Sequence, residues 1–166
     1  MTYRIFKGFH FCFPLFTWGY RNKTQFSKVV TFDSSAIYDI GVEQSDINKL
    51  WGIRDAFFSN HKNSARFGWR YAGEGMIELL AYCYDKGVRL NTGGGEVSLG
   101  FVKPYESVVT EIFVLENKYI FRVGIGSETI IEQVEKATLS SKWYFTSNPY
   151  FGGNLTAPHT IKIKIK

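Results

Sequence analysis

Apolar and polar residues alternate along much of the chain, and this pattern predicts β-strands. Residues 65–71 show it most clearly, with Arg66 and Arg70 on the face opposite Phe67 and Trp69. The alternation recurs, with some irregularity, at residues 26–32, 77–84, 112–123 and 161–166. A period of two residues is typical of a strand with one buried face.

Short clusters rich in glycine, proline and asparagine separate these runs and mark turns. They lie at residues 72–75, 85–87, 93–95, 103–104, 116–118 and 152–154. Many short strands at a spacing of about 8–12 residues favour a sandwich or a barrel. We therefore predict one all-β domain over residues 1–166, a two-sheet antiparallel jelly-roll sandwich with at least ten strands and little or no helix. Residues 1–25 would form N-terminal strands or an arm, and residues 26–166 the sandwich core.

The same alternation assigns the core. The residues expected inside are Phe67, Trp69, Ile77, Leu79, Ala81, Val114, Phe121, Ile161 and Ile163. One segment stays open between strand and helix. Residues 128–137 place Ile130, Ile131 and Val134 at helical spacing, but these β-branched side chains suit a strand equally well.

Composition adds an aromatic and basic character to this picture. The chain of 166 residues is 17% aromatic, which suits strands and also supplies flat binding faces. Its net charge of +5 raises the question of nucleic acid, but the basic residues are scattered rather than clustered. Lys162, Lys164 and Lys166 alternate with isoleucines, which indicates a terminal strand that protects a sheet edge. Nucleic acid is therefore not the expected partner.

Cys12 and Cys83 are the two cysteines, and neither lies in a metal-binding pattern. Two buried free thiols are the commoner arrangement for so few cysteines, and a disulfide stays open as the alternative. No cofactor or metal site is expected, with the exception of a structural calcium ion that no spaced loop identifies. The candidates for its ligands are Asp33, Asp39, Asp46 and Asp55.

The N-terminus imitates a signal peptide, because a mildly basic start precedes an apolar run at residues 9–20. That run is aromatic and contains Pro14, and no small-residue cleavage site follows it. No stretch approaches the roughly 20 apolar residues of a membrane helix. We expect a protein that is made in the cytosol without export and without a membrane span.

Two segments carry a resemblance to known proteins. One is residues 48–52 followed by 61–70, and the other is residues 149–154 followed by Ala157-Pro158-His159 and the final strand. Together they resemble small concanavalin-like jelly-roll proteins of Bacteroidetes bacteria and their phages. The closing Phe-Gly-Gly and Ala-Pro pattern is similar to the last strands of concanavalin-like polysaccharide lyases and glucanases. The resemblance implies a concanavalin-like fold, whereas function depends on the site.

The catalytic motifs of those enzymes do not carry over. Concanavalin-like glucanases have a Glu-x-Asp-x-Glu strand, and the related lyases have a Gln-x-His strand with a catalytic tyrosine and arginine. The three histidines, His10, His61 and His159, lie in neither context. We therefore assign no catalytic residue, and a polysaccharide lyase or hydrolase remains the alternative hypothesis.

The candidate binding surface is the polar face of the strand at residues 65–71. A bulge at Gly73 or Gly75 is expected, because an unbroken four-residue turn would put Arg70 on the apolar face. With the bulge, the polar face groups Arg66, Arg70, Glu78, Tyr82 and Tyr84. Trp51 and His61 are expected to flank it. Arginine binds carboxylates, so an acidic sugar or an acidic partner surface would suit this face, and an ordinary solvated sheet face is the alternative.

These observations predict a non-catalytic recognition or assembly module. Its ligand would be a cell-surface glycan or a neighbouring subunit of a phage virion, and a homo-oligomer is compatible with either. A virion protein folds in the host cytosol and leaves by lysis, so a surface-binding fold without an export signal fits that setting.

Overall fold

The computed structural model describes residues 1–90 and 96–166, and the turn predicted at residues 93–95 lies outside them. The described residues form fourteen strands and two 3-10 helices, Ser34–Ala36 and Gly41–Glu43, and contain no α-helix. The strands are β1 (Thr2–Ile5), β2 (Cys12–Phe13), β3 (Gly19–Arg21), β4 (Gln25–Phe32), β5 (Asn48–Ala56), β6 (Ser59–Gly73), β7 (Met76–Asp85), β8 (Val88–Leu90), β9 (Val97–Val102), β10 (Ser107–Val114), β11 (Lys118–Ile125), β12 (Glu128–Glu135), β13 (Trp143–Ser147) and β14 (Ile161–Ile165). No helix in these ranges has the length and apolar character needed to cross a membrane.

The strands form two antiparallel sheets, which confirms the predicted all-β sandwich. Sheet A has the order β12-β11-β10-β4-β14-β1-β2. Sheet B has the order β3-β13-β5-β6-β7, and β8 and β9 both pair with β7. The first 25 residues contribute strands to both sheets, since β1 and β2 extend sheet A and β3 lies at the edge of sheet B.

The core lies between the sheets, and all nine residues predicted for it are buried. Phe67 of sheet B meets Phe121 of sheet A edge to face, with ring centroids 5.1 Å apart. Trp69 packs against Phe32 with tilted rings, at 5.2 Å between centroids. These pairs bury large apolar rings from both sheets, so they join the two layers.

The register of β6 against β7 depends on the turn between them. A bulge lies between Tyr71 and Gly73, and Gly73 adopts a φ of 93°, which glycine reaches without strain. Arg66 consequently lies opposite Tyr82, and Arg70 opposite Glu78. The bulge agrees with the sequence-based prediction, and so does the common face of the arginines, Glu78 and Tyr82.

A second bulge, in β5, overturns one prediction. The register against β6 shifts between Lys49 and Trp51, so that Leu50 and Trp51 both point into the core. Trp51 stacks near Phe67 with ring centroids 5.3 Å apart, and its indole N–H donates to the hydroxyl of Thr110 at 2.9 Å. Trp51 therefore does not flank the candidate binding face but lies on the opposite side of the sheet.

The structure shows the state of residues 128–135, of the two cysteines and of the closing strand. Residues 128–135 form β12, a strand at the edge of sheet A whose β-branched residues pair with β11. Cys12 and Cys83 are buried free thiols. The closing strand β14 buries its isoleucines and exposes its lysines as predicted, but it lies between β4 and β1 and protects no edge.

We predict that Phe67→Ala lowers the free energy of unfolding by about 3–5 kcal/mol, because it leaves a cavity between the sheets. Urea denaturation would measure the change. Phe58→Ala is the matched control, since Phe58 is 94% exposed and its loss should change stability by less than about 0.5 kcal/mol. A loss below about 1 kcal/mol for Phe67→Ala would contradict the assigned core.

Candidate functional site

The outer face of sheet B is divided into separate regions by a small apolar plug. Ile47, in the segment before β5, covers Leu80 and forms a buried cluster with it and Tyr82. Beyond this plug, towards the β5–β6 hairpin, lies a cleft of about 600 Å³. We call it the basic cleft; its lining includes Lys49, Arg54, His61, Arg66, Tyr82, Tyr84, Phe58, Asn60, Asn148 and Tyr150. Within the described part of the chain, no aspartate or glutamate lines it.

Arg66 forms part of the floor of the basic cleft. The residue is only 4% exposed, and burial lowers the pKa of its guanidinium to about 10. Its Nε and Nη2 atoms are buried and have no hydrogen-bond partner among the described residues. No described carboxylate lies within salt-bridge distance of it. A buried cation without a counter-ion is costly, so this position calls for a functional explanation.

The ring of Tyr82 partly compensates the positive charge. Three cationic groups approach it: Lys49 Nζ at 4.6 Å from the ring centroid, Arg66 at 4.9 Å and Arg89 at 4.6 Å. A ring face attracts cations through its quadrupole, by about 0.5–2 kcal/mol for each contact. Burial and the neighbouring Tyr84 hydroxyl raise the pKa of Tyr82 to about 12, so its hydroxyl stays protonated. The tyrosine holds the cations without neutralising them.

Lys49 supplies a second unneutralised charge from β5. Its ammonium donates to the carbonyl of Ile47 at 2.8 Å. Burial, and then repulsion from Arg66 and Arg89, lower the pKa of Lys49 to about 8, while Asp46 acts in the opposite direction. The lysine is therefore mostly charged at neutral pH but close to its titration range.

A glycine opposite Arg66 makes room for the guanidinium. Gly52 of β5 pairs with Arg66 of β6. A Cβ atom on Gly52 would lie 2.3 Å from the carbonyl oxygen of Ala65 and 2.6 Å from Cγ of Arg66. The missing side chain on β5 thus leaves the space that the arginine occupies.

Arg54 has a different role, because its hydrogen bonds fix the rim of the cleft. Its Nε and Nη2 donate to the carbonyl of Phe57, at 3.1 Å and 2.8 Å. Its Nη1 donates to the side-chain oxygen of Asn60 at 3.0 Å, and Asn60 also accepts from the hydroxyl of Ser147 at 2.7 Å. Arg54 thereby holds the β5–β6 hairpin against β13.

His61 stands on the exposed rim beside Tyr84, with ring centroids 4.9 Å apart. Burial, and then the charges of Arg66 and Lys49, lower the pKa of His61 below its usual value. The imidazole is therefore mostly neutral at pH 7 and can both donate and accept hydrogen bonds.

The structure brings together four of the seven predicted site residues: Arg66, Tyr82, Tyr84 and His61. Arg70 and Glu78 lie beyond the apolar plug, where Arg70 pairs with Glu78 at 2.8 Å and with Glu96 at 2.7 Å. Since its charge is neutralised there, Arg70 does not contribute to the basic cleft. Trp51, as described above, is in the core.

Sequence reasoning missed Lys49 and Arg54. A weak signal was present, because Gly52 and Arg54 alternate with the buried Ile53. The bulge before Trp51 then shifts the alternation, which concealed that Lys49 shares this outer face.

Three of the four aspartates considered for calcium have separate local roles, and the fourth, Asp46, lies against Gly153 and opposes the lowering of the pKa of Lys49. Asp33 accepts from the backbone N–H of Ser35 at 2.8 Å, and Asp39 accepts from that of Gly41 at 2.9 Å. Asp55 accepts from the side-chain amide of Asn63 at 2.7 Å. The described residues contain no group of three or more acidic, histidine or cysteine side chains that would hold a metal ion.

Comparison with known proteins shows the fold. No family model and no curated protein sequence matches the chain. The alginate lyase from Klebsiella pneumoniae matches with a TM-score of 0.57 and 12% identity, over 86% of this chain and 58% of the lyase. A functionally unknown protein from Saccharomyces cerevisiae matches with a TM-score of 0.50 and 9% identity, over 98% of this chain and 83% of that one.

A third match is the CBM2 module of the evolved Dit of Lactobacillus casei BL23 phage J-1. Its TM-score is 0.46 at 11% identity, over 90% of this chain and 65% of the module. The two antiparallel sheets and the likeness to the lyase show a jelly-roll sandwich fold, and the chain spans little more than half of that lyase. The comparisons give no support to an origin in Bacteroidetes bacteria or their phages.

The contrast between Arg66 and Arg70 generates a prediction about stability. Arg66→Met should leave the free energy of unfolding unchanged or raise it by about 1 kcal/mol, because it removes a buried charge without a partner. Arg70→Met should lower it by about 1–3 kcal/mol, because it leaves the buried Glu78 unpaired. Urea denaturation of both variants would measure the difference. An equal loss in the two variants would show that Arg66 stabilises the fold.

Proposed function

We propose that this protein is a non-catalytic recognition module that binds an acidic polysaccharide in the basic cleft. The observation that carries the proposal is the buried guanidinium of Arg66, which has no counter-ion in the described protein. An anionic group of a ligand would supply the missing charge. Stability alone does not account for the arginine, since an apolar residue of similar volume would avoid the desolvation penalty.

The surrounding groups suit a sugar acid. Arg66 and Lys49 attract a carboxylate or a sulfate through their positive charges. His61 and the side chains of Asn60 and Asn148 line the same cleft and can bond to hydroxyl groups. Tyr84 offers an apolar face with a polar tip, which suits the mixed surface of a sugar ring. The volume of about 600 Å³ lies in the usual range for a small-molecule site.

The fold is compatible with this proposal. The structurally similar Klebsiella protein is an alginate lyase, and alginate is a polymer of uronic acids. That likeness shows only the fold, so the choice of an acidic polysaccharide rests on the charges of the cleft.

A polysaccharide lyase is the second candidate, and one observation favours it. The neutral His61 lies beside Tyr84, whose ring is 5.9 Å from the guanidinium of Arg66, and an elimination from a uronate needs a base beside a group that neutralises the carboxylate. We expect no turnover of alginate. If the wild-type protein formed an unsaturated product and His61→Gln or Tyr84→Phe did not, the protein would be a lyase and not a binding module.

An acidic surface on a neighbouring protein subunit, as in a virion, is the alternative ligand. It would require the same cations, but a folded protein presents its carboxylates on a convex surface. A single sugar acid on a flexible chain reaches the floor of a cleft more easily, which is why we favour the glycan.

Binding of alginate tests the proposal. Wild-type protein should bind it in calorimetry, and Arg66→Met should weaken binding at least about tenfold, which corresponds to the loss of one charge-assisted contact. Lys164→Met is the matched control, because it also removes one positive charge but lies on the exposed side of sheet A. Equal affinities of the two variants would exclude the basic cleft.

Comparison ligands extend this experiment. Dextran should not bind, because it has no charge. Tighter binding of single-stranded DNA than of alginate would show that the cleft recognises nucleic acid instead. Binding confined to a purified acidic protein would favour the subunit alternative.

Binding should also depend on pH through Lys49. Raising the pH from about 7 to about 9 carries the solution through the Lys49 pKa of about 8, removes its positive charge and should weaken alginate binding about tenfold. Arg66 stays largely protonated over this range because its pKa is about 10. The uronate carboxylates stay ionised throughout. In Lys49→Met the affinity should be lower at pH 7 and nearly independent of pH, and an unchanged slope would contradict the assignment.

A further inference from the structure

A row of aromatic side chains leaves the basic cleft along the outer face of sheet B. We call Phe58, Phe57, Phe145 and Trp143 the aromatic ridge. Phe58 lines the cleft and packs edge to face on Phe57, with ring centroids 4.6 Å apart. Phe57 in turn meets Phe145 at 5.1 Å, and Phe145 lies nearly parallel to Trp143 at 6.4 Å.

Three of these four rings are open to solvent, and Phe145 is half-buried. The exposed fractions are 94% for Phe58, 48% for Phe57 and 49% for Trp143. A single exposed apolar side chain is ordinary, but a contiguous set of them marks an interaction surface. The ridge is therefore the kind of feature that a ligand would cover.

The local structure holds the ridge in position. Gly19 of β3 lies beneath Phe145, where a Cβ atom would come within 3.0 Å of the phenylalanine ring. At the other end, Arg54 donates to the carbonyl of Phe57 from two nitrogens. Phe145 pairs directly with Arg54 across β13 and β5, so ring and cation share the outer face. The ridge and the cleft thus form one continuous surface.

We propose that the aromatic ridge binds further sugar residues of the same polysaccharide chain, so that the protein recognises an extended chain segment. This inference rests on the function proposed above. The rings contact one another in succession from the cleft to Trp143, and a linear polymer suits such a track better than a broad protein surface does. An aromatic ring presents a negative face, which attracts the weakly positive C–H groups of a sugar ring. Arg21, paired with Trp143 at the far end of the ridge, adds a cation that suits an acidic chain.

The chain-length dependence of binding tests this inference. A mannuronate disaccharide can fill the basic cleft alone, whereas an octasaccharide also reaches the ridge. In calorimetry the wild-type protein should bind the octasaccharide at least tenfold more tightly than the disaccharide. Trp143→Ala and Phe57→Ala should remove most of this gain and leave disaccharide binding unchanged, because neither side chain lines the basic cleft.

The control is Ile131→Ala, which removes a comparably exposed apolar residue, at 56%, from the edge of the other sheet. It should change the affinity for neither the octasaccharide nor the disaccharide. Thermal unfolding would confirm that the ridge variants fold, as expected for exposed positions.

The other outcomes separate the two proposals. If both ridge variants bound the octasaccharide as tightly as the wild type, the proposed role of the ridge would be wrong, and the proposed role of the cleft would stand. Self-association in sedimentation velocity that disappears in Trp143→Ala would show that a second copy of this chain covers the ridge, and would overturn the inference as well. If neither oligosaccharide binds the wild-type protein, the proposed function and the ridge both fail.

Discussion

The register between β6 and β7 is the constraint on which both faces of sheet B depend. The bulge after Tyr71 keeps the alternation of the two strands in phase, so that Phe67 and Leu79 enter the core while Arg66 and Tyr82 face outward. A shift of one residue would exchange these sets and bury the cations among apolar side chains. The core and the basic cleft are therefore two results of a single pairing.

The cleft illustrates how a sandwich can hold uncompensated charge. Lys49 and Arg66 both lie against the ring of Tyr82, which attracts them without removing their charge. A carboxylate in the place of Tyr82 would give a stronger pair but would also satisfy Arg66 internally. The same sheet shows that arrangement at Arg70, where Glu78 and Glu96 neutralise the guanidinium. Two arginines four residues apart on one strand thus have opposite roles, determined by what faces them.

The sequence predicted the sandwich, its core and the shared outward face of Arg66 and Tyr82, because the alternation in β6 and β7 carries information on which side faces inward. It failed where that information is lost. Leu50 and Trp51 are adjacent and both apolar, so nothing in the pattern reveals the bulge that buries both. The separation of Arg66 from Arg70 comes from Ile47, a residue outside any strand whose position depends on tertiary packing.

Gly52 determines whether Arg66 can occupy the floor of the cleft. Since any side chain there would collide with the backbone of β6 and with Arg66, one codon change would displace the guanidinium while the sequence kept every charged residue. A lineage could then lose binding while Arg66 itself remained unchanged in the sequence. Among homologues, retention of a glycine at this position together with the arginine opposite it would separate lineages that keep the cavity from those that keep only the sandwich.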